Sequence, residues 1–365
     1  MNRTKNVLTI VVFIAVIFGI LIWSVLLPDA PMSRAERRLL SQRPEFSAKT
    51  FFDGKYSPDL ERYLLDQFPA RDSFRALKSR IAINMLRKTD NNGYFTVGDS
   101  ISKLDYALSE AGVGLTVKKL NSLISRYMSD SQVYYSVIPD KNFFLAAANG
   151  FPSMDYDRLL ELLNQGLDKR FEYIDIFHTL DEESYYRTDL HWRQEKIFPA
   201  AEALARAMDV GILPPEAYTT HDLKGFEGAF LGQSALGAET DDLVYMTAPL
   251  LDHAKAYSVE LGAEIPVYSP EKIHGADGYD VFLSGAQAIV TIDFPDLNSD
   301  RRLVLFRDSF GSAIAPLFAG EYSQITLVDL RYVSSEILGE YVDFENADVL
   351  FLYGSSLVNS GGLLR

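Results

Sequence analysis

From residue 7 to residue 27 the chain carries no charge, and Thr9 and Ser24 are the only side chains there with a hydroxyl. At about 1.5 Å per residue a helix of that length reaches roughly 30 Å, the thickness of a bilayer's hydrocarbon core. Trp23 stands near one end, where interfacial aromatics collect, and Arg3 and Lys5 precede the run. The pattern predicts a transmembrane anchor with its N-terminus in the cytoplasm and the rest of the chain outside. A cleaved signal peptide is the alternative, but its apolar stretch typically has only about 7–15 residues.

Beyond the anchor, residues 28–88 are mixed and polar. Residues 59–68 and 71–87 read as helices, separated by Pro69, which cannot continue one. Asp90-Asn91-Asn92-Gly93 is a turn signal, and residues 94–97 read as a strand. A strand and helix alternation then begins. Val117, Leu120, Ile124 and Tyr127 share one helical face, and residues 133–138 are a β-rich run. Residues 159–167 are helical, 173–177 form a short buried strand, and Ile197, Ala201, Leu204 and Met208 line another helix. Strands are predicted at 303–306, 324–328 and 349–353. The helix predicted at 309–319 turns Phe310, Ala313, Ile314 and Leu317 to one side, with Pro316 inside it. Such alternation implies an α/β fold, a parallel sheet with helices on both faces. Residues 211–300 lose the rhythm and read as an irregular insertion. The expected organisation is a cytoplasmic tail (1–6), the anchor (7–27), a linker and helical stalk (28–88) and a catalytic domain (89–365).

Composition narrows the chemistry. The chain of 365 residues is 47% hydrophobic and 23% charged, which suits a globular core. Its net charge of -15 argues against nucleic acid, whose phosphates need clustered cations. With no cysteine there is no disulfide framework, thiol nucleophile or Cys-based zinc site. Imidazole chemistry must choose among five histidines, His178, His191, His221, His253 and His274, and none has a partner at metal-ligand spacing. Neither metal nor cofactor is expected.

Three segments carry candidate chemistry. In Thr188-Asp189-Leu190-His191-Trp192, between a predicted strand and helix, His191 has the side chain suited to act as a base, and Asp189 can fix its tautomer. The alternative is that Thr188 or Asp189 simply caps the next helix. In Arg307-Asp308-Ser309-Phe310-Gly311, Ser309 joins an apolar strand to a helix whose N-terminal amides could stabilise an oxyanion. Here too, capping by Asp308 or Ser309 is the competing reading. Gly98-Asp99-Ser100 has the literal Gly-Asp-Ser signature of SGNH hydrolases, but its surroundings read as a hairpin turn.

At these residues the sequence resembles the DHHW-motif proteins of bacteria, relatives of the SGNH-like alginate O-acetyltransferases. The resemblance runs through Ala35-Glu36-Arg37-Arg38-Leu39, Asp66-Gln67-Phe68-Pro69-Ala70-Arg71-Asp72, Ile138-Pro139-Asp140-Lys141, Thr188 to Trp192, Asp308-Ser309-Phe310 and Val328 to Tyr332. It implies an SGNH-like fold with a permuted motif order. Asp189 would orient, His191 act as base and Ser309 attack, and Ser309 is thereby favoured over Ser100. Leu190 departs from the namesake pattern, which has His there, outside the triad. Gly228 is the candidate for the oxyanion loop. Arg331, Trp192 and Tyr186 are candidates for substrate binding, and Tyr185 and Tyr332 are further aromatics near strand ends. The implied activity is acetyl transfer to a cell-envelope or extracellular polysaccharide, with a membrane-bound O-acyltransferase as acetyl supplier. The alternatives are a carbohydrate acetyl esterase using the same triad, and a non-catalytic envelope scaffold or glycan-binding protein.

Overall fold

The computed structural model describes residues 2–128 and 132–361. Met1 and residues 362–365, the outer ends of the expected tail and catalytic domain, lie outside the described residues. The chain divides into two compact units: residues 1–91 with 232–237, and residues 92–231 with 238–365.

The first unit opens with α1 (Asn2–Leu26). Its Arg3–Leu26 stretch is long and apolar enough to cross a membrane. Three helices follow: α2 (Ala48–Phe52), α3 (Tyr56–Asp66) and α4 (Arg71–Arg80), the last continued by a wider π turn over Ile81–Met85. Ser47 starts α2 with a reciprocal capping box to Thr50. Pro69 separates α3 from α4 as expected, and Ala70 takes a left-handed conformation (φ 53°) to redirect the chain. The motif residues of this region form an ion-pair cluster. Arg38 grips Asp66 with two nitrogens at 3.0 and 2.5 Å, and Glu36 receives Arg71 at 2.6 Å and Arg75 at 3.2 Å. The Arg38 hydrogen bond holds the Asp66 carboxyl well below the usual carboxylate range.

The second unit is built on an eight-stranded sheet. In chain order its strands are β1 (Val133–Ile138), β2 (Phe171–Tyr173), β3 (Lys255–Ser258), β4 (Ala263–Ile265), β5 (Ile289–Asp293), β6 (Arg302–Arg307), β7 (Gln324–Val328) and β8 (Ala347–Gly354). Across the sheet they run β4-β3-β5-β7-β6-β8-β1-β2. The five from β7 to β2 are mutually parallel, as the strand and helix alternation predicts. The other three are antiparallel and come from the predicted insertion. That insertion is therefore part of the sheet, together with a separate hairpin of Thr219–Phe226 and Asp241–Thr247. Successive side chains on a strand point to opposite faces. Accordingly Leu303, Leu305, Leu350 and Leu352 join one buried cluster, while Val304, Phe306, Val349 and Phe351 join another. The second is covered by α5 (Glu110–Tyr127) and α6 (Tyr156–Gly166), the first by α7 (Phe198–Ala207).

Two local expectations change. The strand expected at 173–177 is instead β2, because Asp175 accepts the Phe177 amide at 2.9 Å and turns the chain into a 3₁₀ segment. The helix expected at 309–319 is α-helical only over Gly311–Ile314 and tightens to 3₁₀ over Ala315–Phe318, where Pro316 removes an amide donor.

Candidate active site

Parallel strands bring their carboxyl ends to one edge of the sheet, and loops there form sites. Ser309 follows β6, Arg331 follows β7, and Asp140 and Lys141 follow β1. The Asp189 and His191 loop, residues 185–192, is closed by an antiparallel bridge between Tyr185 and Trp192. The Tyr186 amide reinforces it by donating to the His191 carbonyl at 3.1 Å.

Within that loop Asp189 has no exposed surface. Its Oδ1 accepts from the His191 amide at 3.0 Å and lies 2.6 Å from His191 Nδ1, while Oδ2 accepts from the Ala229 amide at 2.6 Å. A carboxylate at Nδ1 places the imidazole proton there and leaves Nε2 as the acceptor. His191 Nε2 lies 2.6 Å from Ser309 Oγ. Asp189, His191 and Ser309, separated by 118 residues between base and serine, thus form one continuous hydrogen-bonded chain. Asp189 and His191 are buried and Ser309 is half-buried, so the chain opens to solvent at the serine.

The capping alternatives resolve in the same geometry. Asp308 does the local backbone work, taking the Phe310 amide at 3.1 Å and the Gly354 amide at 2.8 Å, and burial pushes its carboxyl up. Phe310, with no side-chain bond, occupies the cap position of the following helix. The Ser309 hydroxyl is left for His191. Ser100 opens a strand of the hairpin Tyr94–Val97 and Ser100–Lys103, and Asp99 before it pairs with Arg187 at 2.7 Å.

Tyr279, which no sequence signal singles out, stacks on the His191 ring at 3.8 Å between centroids and 6° between planes. It fixes the imidazole plane from the insertion side. Lys141 supports the loop from below. Its Nζ donates to the carbonyls of Tyr186 at 2.7 Å and Arg187 at 2.9 Å. Burial pushes the ammonium down to about 7, opposed by the negative charges of Asp189 and Asp241. Asp241 in turn receives the Thr188 amide and hydroxyl at 2.8 and 2.6 Å.

A cavity of about 180 Å³ opens beside Ser309 and His191. Arg307, Arg331 and Tyr332 line it from the parallel half of the sheet, and Asp277, Tyr279 and Asp280 from the insertion. Arg331 grips Asp329, with nitrogens at 2.9 and 2.6 Å from its two oxygens. Arg307 is buried, its contacts to Asp308, Asp329 and Gln287 are long at 3.4–3.5 Å, and its Nε has no partner. Burial lowers its pKa, so it is a poorly compensated cation beside the serine. A charged residue ending the apolar run of β6 was the signal in the sequence.

Other expected site residues lie elsewhere. Trp192 has no exposed surface and donates from Nε1 to the Phe310 carbonyl at 3.0 Å, so it braces the serine segment rather than facing a sugar. Tyr186 is equally buried, edge-on to Phe226, and Tyr185 donates its hydroxyl to the Pro139 carbonyl. Gly228 uses its amide on Thr188 Oγ1 at 3.1 Å, which removes it as an oxyanion donor. It is glycine because a Cβ there would meet the Thr188 carbonyl oxygen at 2.2 Å. Of the expected aromatics, Tyr332 is the one that lines the cavity with its ring exposed (52%). No group of three or more metal-ligating side chains occurs among the described residues.

Solved structures share this arrangement of elements. A DHHW family protein from Eubacterium siraeum superposes with a TM-score of 0.60 at 21% identity, over 75% of this chain and 97% of that one. This chain has the DHHW-protein fold. Bacillus cereus PatB1 superposes with a TM-score of 0.59 at 18% identity, over 74% of this chain and 98% of its own. PatB1 has also been solved with a sulfonyl adduct, and that form gives 0.57 at 16% identity over the same shares. No family model and no curated protein matches the sequence. The resemblance to DHHW-motif proteins read from the sequence therefore holds at the level of the fold, and Leu190 in place of the namesake His leaves that fold intact.

Proposed function

We propose that this protein is an extracytoplasmic O-acetyltransferase that acylates Ser309 and passes the acetyl group to a polysaccharide hydroxyl. The observation that carries the reading is the pair of 2.6 Å contacts linking Ser309 Oγ to His191 Nε2 and His191 Nδ1 to Asp189 Oδ1. Ser309 Oγ attacks the donor's carbonyl carbon while Nε2 takes its proton. The tetrahedral intermediate collapses, and the imidazolium returns that proton to the leaving group. A sugar hydroxyl then attacks acetyl-Ser309, gives its proton to Nε2, and leaves as the acetyl ester when the proton returns to Ser309. Asp189 stays ionised throughout and stabilises the imidazolium. Arg307 and Arg331 line the cavity in which the oxyanion would form and supply positive charge there.

The sulfonyl adduct on PatB1 makes sulfonyl electrophiles the first probes to try on Ser309. The apolar helix would anchor the chain with Arg3 and Lys5 on the cytoplasmic side. A membrane-bound O-acyltransferase is the proposed acetyl supplier. The test combines the full chain, 4-nitrophenyl acetate and a panel of envelope oligosaccharides, read by mass spectrometry. Acetylated sugar that is lost in His191→Ala supports transfer. Free acetate alone across the panel identifies an esterase with the same triad. Glycan binding without any Ser309 acylation identifies a non-catalytic scaffold.

A further inference from the structure

The stalk presents an apolar surface that nothing among the described residues covers. On α3 and its end, Leu60, Leu64 and Phe68 recur at helical spacing, joined by Leu65 and by Phe51 of α2 around an open groove of about 460 Å³. Phe52 is 84% exposed, Leu65 62% and Leu64 50%. The surface continues through an edge-to-face contact between Phe68 and Phe74 at 5.5 Å onto α4, where Leu77 is also exposed. Soluble proteins rarely leave contiguous apolar patches of this kind in water.

The leash that ends α1 says what covers it. Tyr63 and Gln67, which flank this apolar face at helical spacing from Leu60 and Leu64, hold the chain just after the membrane helix. Tyr63 donates its hydroxyl to Asp29 at 2.9 Å, and the Gln67 side chain both accepts from the Ala30 amide and donates to its carbonyl, each at 2.9 Å. α1 ends at Leu26, so only residues 27 and 28 separate it from the first pinned residue. At about 3.3–3.6 Å per extended residue that gap is on the order of 10 Å, comparable to the depth of a headgroup layer. A helix pair leashed that closely to a bilayer has its apolar side within reach of the lipid boundary.

We propose that α2 and α3 lie on the membrane, with Phe51, Phe52, Leu64 and Leu65 inserted at the boundary between headgroups and acyl chains. The occupant of the groove is lipid, taken up by apolar burial rather than by charge. Acidic side chains are interspersed with basic ones along α2 and α3, at Asp53, Asp59, Glu61 and Asp66 beside Lys49, Lys55 and Arg62. Attachment should therefore be nearly independent of anionic lipid content and of salt. The inference rests on the reading of Arg3–Leu26 as a membrane anchor, and the test separates the two.

The chain lacks cysteine, so single-cysteine variants need no background mutations. Full chain bearing an environment-sensitive fluorophore at Phe52→Cys or Leu65→Cys is placed in nanodiscs, one chain per disc, with nitroxide lipids labelled at shallow or deep acyl positions. Phe18→Cys within α1 reports the anchor, and Lys118→Cys on α5 is the solvent control. The expected result is blue-shifted emission at 52 and 65 and roughly two-fold or greater quenching by the shallow nitroxide, since interfacial helices bury their apolar faces about 5–10 Å deep. The quenching should persist in discs of purely zwitterionic lipid. Quenching at 18 but not at 52 or 65 overturns the proposal and leaves the anchor standing. No quenching at 18 removes the anchor reading and the proposal with it. Labels at 52 and 65 that become shielded only when a second chain shares the disc assign the face to another copy, which also overturns it.

Discussion

Replacing Lys141 with methionine tests whether the Asp189–His191 loop is held by a desolvated lysine. Lys141 is buried and donates to two carbonyls of the loop, Tyr186 and Arg187. Burial lowers its pKa from 10.5 to about 7. Between those values the unfolded chain carries a proton on this lysine that the native protein has released. Native stability owed to this group is therefore lowest below pH 7 and rises as pH increases towards 10.5. The slope is about 1.4 kcal/mol per pH unit and the full span about 5 kcal/mol. The variant has no such slope. It does leave the two carbonyls without their donor, at about 1–3 kcal/mol for each buried unsatisfied group. That cost does not depend on pH, so it displaces the variant's curve without tilting it. Urea unfolding of wild type and Lys141→Met in detergent, followed across pH 7 to 10 by Trp192 fluorescence, gives the difference directly. Groups common to both proteins cancel. The wild type should gain on the variant steadily with pH. Parallel curves would refute the reasoning, because they would mean that the ammonium is solvated and the loop is held by something else.

Three further outcomes follow from the same geometry. Asp189→Asn should lower kcat for a chromogenic acetyl ester by about 10⁴-fold, because an amide no longer fixes the Nδ1–H tautomer; steady-state kinetics on folded variant checks it. Tyr332→Ala should depress transfer to an oligosaccharide more than hydrolysis, since this exposed ring lines the cavity and aromatic faces suit sugar rings; the ratio of acetylated sugar to free acetate reports it. Trp192→Ala should destabilise the protein by about 3–5 kcal/mol, as loss of a fully buried ring does, and should leave the product ratio of the surviving folded fraction unchanged.

What the sequence revealed and what it hid have physical reasons. Strands β1, β6, β7 and β8 are buried on both faces, so they read as continuous apolar runs whose limits are easily seen. The Asp189–His191 pair was legible because both residues lie on one short loop. Ser309 was a candidate from its place between an apolar strand and a helix, and the resemblance favoured it over Ser100, since its contact with His191 spans 118 residues and no local pattern encodes that contact. Where the insertion joins the sheet was not legible, because β3 and β4 are short, at four and three residues, and surrounded by turns. Tyr279 was invisible for the same reason: its stacking on His191 depends on where that irregular segment returns. Trp192 misled in the opposite way. Trp192 follows His191 directly in sequence, but its ring points into the core and not towards the cavity. Gly228 was rightly singled out as special, but its requirement is steric, the close approach to Thr188, rather than an amide offered to substrate.

The central claim is that Ser309, activated by His191, becomes acylated. The direct measurement is intact-mass and peptide-mapping analysis of the full chain after rapid acid quench from 4-nitrophenyl acetate, alongside the Ser309→Ala, His191→Ala and Ser100→Ala variants. The account predicts one acetyl group, carried on the peptide containing Ser309, absent from the first two variants and retained in the third. Acetyl found on Ser100, or no covalent intermediate in protein that turns the ester over, would contradict it.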